Sequence, residues 1–175
     1  MESVSLVAVT DSDAALEMAR MDRLAAHLAA VFHVSVTLSE FALDATFAFD
    51  AGRNQFHSTR ILAALATFPQ RPGQHVLGLT SLDLFVPVLT FVFGEAQLRG
   101  PAAIVSYHRL TDAFYGLPQD DAMLDDRILK ESVHELGHTL GLRHCDDWSC
   151  AMASTHTVEL LDLKRSQLCA HCRRE

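Results

Sequence analysis

The sequence is short of positive charge. Lys plus Arg number 14 against 22 Asp plus Glu, a formal net charge of −8. That balance argues against nucleic acid or an anionic membrane as the partner, since both select basic surfaces. Long apolar runs are missing as well, and nothing approaches the roughly 20 residues of a membrane-spanning helix. The opening Met1-Glu2-Ser3-Val4 lacks the basic and apolar regions of a secretory signal. Internal repeats, low-complexity tracts and linkers are also lacking. These absences lead to the expectation of a cytoplasmic monomer with no membrane and no nucleic-acid partner, folded as one domain over residues 1–175. What is present suits a globule: apolar residues make up 49% and charged ones 21%, enough for a core and without a disordered signature.

Hydrophobic patterning gives an α/β order. Val4, Leu6, Val7, Ala8 and Val9, within Ser3 to Thr10, read as a buried strand. Asp11 and Asp13 offer N-cap oxygens for a helix running to about Phe32, with Leu24, Leu28 and Val31 on its apolar face. His33 to Leu38 alternates as a second strand, while Phe41 to Asn54 reads as either strand or packed loop. Phe56 to Phe68 is expected to be helical, stopped by Pro69, Pro72 and Gly73. Val76 to Thr80, Thr90 to Phe93 and Ala102 to His108 follow as strands. Strands and helices alternating in this way predict a mostly parallel sheet with helices packed on it. Pro87 before the Thr90 segment and Gly94 after it make Thr90–Phe93 the expected edge strand.

All four cysteines lie between Cys145 and Cys172. Cys145-x4-Cys150 and Cys169-Ala-His-Cys172 form two short-spaced pairs separated by a loop, the way a chain delivers four thiolates to one tetrahedral zinc. Two disulfides, free thiols and a redox CxxC are the alternatives. A reducing compartment disfavours disulfides, and a redox CxxC usually opens a helix after a strand. His171 and His156 are possible substitute ligands, with solvated surface histidines as the plainer reading.

Met123 to Leu142 is helical in pattern. Leu129, Val133, Leu136 and Leu140 form its core face, and His134 and His138 fall roughly 140–180° away from Leu129. Four residues apart, the two imidazoles can converge on one ion. Glu135 projects about 100° round from His134, within reach of a metal-bound water. Gly141 stands where a left-handed residue would end the helix, so that His144 can return as a third ligand. The string from His134 to His144 is HExxHxxGxxH, which chance would give in roughly one such chain in 10⁴.

This string is similar to the zinc signature of the metzincin metalloproteases. With the following Cys145-x4-Cys150-Ala-Met152 and the later Cys169-x-x-Cys172, the chain resembles the archaemetzincins, small proteins with a catalytic zinc and a second, four-cysteine zinc. The likeness is tight over about the last fifty residues. It is looser over Phe91 to Ala96 and Val105 to Leu110. It implies an α/β, metzincin-like domain: a mixed, mostly parallel twisted sheet with an edge strand, packed on two long helices including the HExxH helix. A small zinc-stabilised C-terminal lobe over 142–175 would follow residues 1–141. By position it makes His134, His138 and His144 the catalytic zinc ligands, Glu135 the general base, Met152 the Met-turn residue, and Cys145, Cys150, Cys169 and Cys172 the structural zinc site.

The resemblance thus implies two zinc ions per chain and a metallopeptidase, endo- or amino-, acting through Glu-assisted attack of a zinc-bound water on a peptide carbonyl. Ser154 occupies the position where some metzincins place a tyrosine ligand, so no such switch is expected. Tyr107 and Tyr115 are expected to pack rather than to stabilise an oxyanion. A peptide substrate is expected along the Thr90–Phe93 edge, the alternative being that Phe91, Val92 and Phe93 are simply core. Because neighbours in extended chain point to opposite sides, His144 and Cys145 could face one metal each, letting the cysteine site fix the loop that carries the third histidine. The rival readings are a catalytically silent zinc protein that holds peptides in the same groove, and a structural zinc protein in which only the cysteine site matters.

Overall fold

The computed structural model describes residues 1–11, 18–68 and 71–174. Strand alternation sorts the core into two faces. In β1 (Ser3–Thr10), Val4, Leu6 and Ala8 point to one side of the sheet and Val7 and Val9 to the other. β6 (Gln74–Thr80) and β9 (Ala102–Ser106) divide likewise, Leu77, Leu79, Ala103 and Val105 against Val76, Ala102 and Ile104. The strands are buried on both faces, as a parallel sheet requires.

Sheet order is β2-β1-β6-β9-β8, with β2 at Ser35–Leu38 and β8 at Gly94–Ala96. β2, β1, β6 and β9 run parallel, and β8 closes the edge antiparallel to β9, pairing Gly94 with Val105 and Ala96 with Ala103. β3 (Leu43–Asp44) pairs with the end of β1. On one face lie α1 (Met18–Phe32) and α3 (Asp121–Thr139), on the other α2 (Ser58–Leu65). Leu24 and Leu28 of α1 and Ile128, Val133 and Leu136 of α3 share the larger core; each such buried side chain contributes about 1.5–3 kcal/mol. Arg20, itself buried, and Arg23 of α1 both pair with Asp125, fastening the two helices together.

The mixed sheet and its two long helices agree with the expected α/β architecture. The edge strand does not fall where the pattern put it. Of Thr90–Phe93, Val92 makes an isolated antiparallel bridge to Leu84, and the strand proper is Gly94–Ala96. The apolarity that imitates a strand has another cause: Phe93 is buried, Phe91 packs edge-on against it at 5.2 Å, and the Arg109 guanidinium covers Phe91 at 4.5 Å. The helix expected over Phe56–Phe68 is shorter, because Gln55–His57 is a strand, β5. It joins β4 (Phe49–Asp50) and β7 (Leu84–Phe85) in a small second sheet. The expected capping by Asp13 and stop at Pro69 lie outside the described residues.

α3 is capped by Asp120, whose carboxylate accepts the Met123 N–H at 3.0 Å. It ends in a Schellman turn: Gly141, at φ +98°, donates to His138 O at 2.9 Å, and Leu142 donates to Gly137 O at 3.0 Å. Beyond it Leu142, Cys150, Met152 and Cys172 form a satellite core, and α4 (Val158–Leu163) returns across α3. Arg127 of α3 ties α4 down through Asp162 at 2.7 Å and also pairs with Asp112, in the turn before α3, at 2.9 Å. Among the described residues no helix is long and apolar enough to cross a membrane.

Candidate active site

Gly141 reverses the chain so that His144 meets the two histidines that stand one turn apart on α3. The ring centroids of His134 and His138 lie 4.6 Å apart, and those of His144 lie 5.3 and 5.1 Å from them. Each helical histidine is held by its Nδ1, His134 on Ala151 O at 2.9 Å and His138 on Leu142 O at 2.8 Å. A carbonyl only accepts, so both Nδ1 atoms must donate, and in the neutral ring the lone pair sits on Nε2. Burial pushes the His134 pKa down to about 3, helped by the nearby Lys164 charge, and burial lowers those of His138 and His144. The rings are therefore neutral at neutral pH. The two Nε2 atoms face each other at 3.1 Å, lone pair to lone pair, a repulsive arrangement unless a cation lies between them. Four nitrogens bound tetrahedrally to zinc would stand about 3.3 Å apart. The chemistry of the donor set fits that ion.

The cysteines pass the same test. Cys145 and Cys169 Sγ are 3.8 Å apart, Cys150 and Cys172 Sγ 3.9 Å, and all four sulfurs lie within 4.8 Å of one another. Thiolates around one zinc stand about 3.8 Å apart, whereas a disulfide needs about 2.05 Å. Backbone N–H groups of Met152 and Cys169 point at Cys150 Sγ at 3.4 and 3.3 Å, the outer-sphere bonds such sulfurs usually receive. His171 is not part of this cluster, and His156 lies at the other site.

The histidines open into a cleft of about 550 Å³. Leu89–Ala96 forms one wall and Ser154–His156 the other, with Glu131, His134, Glu135, His138 and His144 along the floor. Glu135 is buried, and burial raises its carboxyl pKa well above the usual range; the charges of Glu131 and Glu95 push the same way and Lys164 opposes them. Two glycines make the packing around it possible. A Cβ on Gly94 would stand 2.7 Å from Glu135 Cγ and 2.8 Å from Ile104 O, so the edge strand comes this close to the carboxylate only as glycine. A Cβ on Gly137 would collide with Met152 Sδ. The fully buried Met152 thus lies directly under the helix turn between the two histidines. Its neighbour Ala151 supplies the carbonyl that holds His134, and Cys145 N–H bonds Met152 O at 3.0 Å.

All eight sequence-derived metal and acid–base candidates, with Met152, thus converge on one end of the molecule. Tyr115 donates to Arg109 O at 3.0 Å, and neither it nor Tyr107 lines the cleft. Patterning missed Gly94, Gly137, Glu131 and Lys164. The two glycines carry no signal of their own, since what each admits comes from a segment distant in sequence. A Glu and a Lys more than thirty residues apart offer none either.

A parallel α/β sheet with an antiparallel edge strand above a histidine-bearing helix defines the class: a metallopeptidase fold. Residues 66–175 match the model of peptidase family M54. The archaemetzincin of Methanocaldococcus jannaschii is 43% identical over 126 residues, covering 72% of this chain and 68% of that protein. That of Thermococcus kodakarensis is 37% identical over 145 residues, 81% and 78% respectively. Among solved structures, a zinc-dependent peptidase from Methanocorpusculum labreanum superposes with TM-score 0.86 at 32% identity, covering 98% of each chain. An archaemetzincin from Archaeoglobus fulgidus complexed with malonate superposes with TM-score 0.82 at 31% identity, also over 98% of each. The chain belongs to peptidase family M54, the archaemetzincins.

Proposed function

We propose that the chain hydrolyses peptide bonds at this cleft, with His134, His138 and His144 holding a catalytic zinc and Glu135 acting as general base. The observation that carries the reading is the pair of bare Nε2 atoms 3.1 Å apart on a cleft floor that also presents Glu135. Bound there, zinc supplies Lewis acidity, polarising the scissile carbonyl and acidifying water. The chain's own residues do the rest. Ala151 O and Leu142 O fix the ring orientation of two ligands. Glu135 takes the proton of the attacking water and gives it to the departing amine nitrogen. Because Gly94–Ala96 is the sheet edge beside Glu135, the substrate backbone pairs there, not on Thr90–Phe93. The four cysteines hold a second, structural zinc that stabilises residues 142–174 as a lobe.

Cleavage of a mixed peptide library tests this. Activity should disappear on chelation and return with zinc. Cleavage that persists in the fully chelated protein would overturn the reading, as would binding without turnover at two zinc ions per chain.

A further inference from the structure

One group on the cleft floor has no part in holding metal or moving protons. Glu131 lies one helical turn before Glu135, lines the cleft, and is 4% exposed. Its carboxylate has one partner among the described residues, Lys164 Nζ at 3.4 Å from Oε1, and Oε1 makes no hydrogen bond. The Lys164 side chain is 0% exposed and spends a donor on Ala153 O at 3.1 Å. Stability does not explain this pair. Taking both charges out of water costs more than loose pairing returns, and well-packed apolar residues of similar volume generally do as well or better. A buried carboxylate left short of donors calls for another one, and Glu131 lines the cleft into which a substrate would bring it.

The neighbouring wall sets the shape of what would supply it. Leu89, Phe91 and Phe93 give an apolar lining opposite Ser154 and Thr155. An apolar channel with a carboxyl acceptor short of donors at its floor fits a side chain having an aliphatic stem and a cationic, hydrogen-donating tip, as in Lys or Arg. Resting on the peptidase reading above, we infer that Glu131, held in place by Lys164, is a specificity-determining residue that selects substrates with Lys or Arg beside the scissile bond. Lys164 balances the charge of the empty cleft and leaves Glu131 as acceptor.

The test compares zinc-loaded wild type, Glu131→Gln, and the double variant Glu131→Leu/Lys164→Met, whose apolar pair preserves the fold. Peptides carry Lys or norleucine at each position flanking the cleavage point, and the readout is the Lys-to-norleucine ratio in kcat/KM. One charge-assisted hydrogen bond corresponds to a ratio of about tenfold or more at one position in wild type. The ratio should fall to about two or less in both variants. A wild-type ratio near one, or an undiminished ratio in the variants, overturns the inference while leaving the peptidase reading intact. The same peptides titrated calorimetrically onto zinc-loaded Glu135→Gln separate the two claims. Preferential Lys-peptide binding there, with no turnover by wild type, would sink the peptidase reading and support the role of Glu131. Equal binding of both peptides would overturn that role.

Discussion

Gly137 sits inside the histidine motif and carries none of its chemistry, yet the packing of the site depends on it. Met152 Sδ occupies the space where any larger residue would place its Cβ. The adjacent Ala151 carbonyl sets the ring of His134. Gly137→Ala would force the Met152 turn away from α3, and overpacking of this kind costs about 1–3 kcal/mol. The expected outcome is a lower Tm together with weaker zinc retention at the histidines, read by thermal unfolding and by competition with a chromophoric chelator. Unchanged values on both would mean that the turn does not position His134. At this scale the sequence reveals donors and hides the space around them. His134 and His138 are legible because metal donors on a helix must recur one turn apart, and His144 because a glycine turn follows them. Gly94 and Gly137 are not, because each answers to a partner on another element.

The elements that matter are the end of α3 and the loop it feeds. The Schellman turn at Gly141 delivers His144, and the next residue, Cys145, belongs to the cysteine cluster, so one short segment carries a donor of each cluster. Its conformation is fixed from the cysteine side by the Cys145 N–H to Met152 O bond and by the satellite core. His144 is the exposed member of the triad. Cys169→Ser should therefore weaken zinc binding at the histidines although it removes none of their nitrogens. Zinc titration with competing chelator, read on the tighter and weaker sites separately, checks this; an unaltered histidine-site affinity would break the coupling. Helix ends and metal spacings are legible because they rest on local rules. The edge strand at Gly94–Ala96 is less so. It has three residues, one of them glycine, and among the described residues it pairs with β9 alone. The more apolar Phe91–Phe93 imitates it through packing on Arg109 and the core.

For the whole molecule, the parallel running of β2, β1, β6 and β9 could be read from alternating strands and helices, because parallel neighbours need crossover connections, whereas their order in the sheet could not. The three-stranded sheet of β4, β5 and β7 could not, since two or three residues are too few for a period to register. Between them these parts place an antiparallel edge above a helix whose histidines and Glu135 share one cleft floor. The central claim, that this floor cleaves peptides through Glu135, meets its most direct test in kcat/KM for a mixed peptide library with wild type and Glu135→Gln at equal, measured zinc content. Loss of a general base lowers the rate by about 10²–10⁴-fold, so cleavage by the variant should fall by at least that lower bound while its zinc content stays the same. Equal cleavage by the two proteins would contradict the assignment.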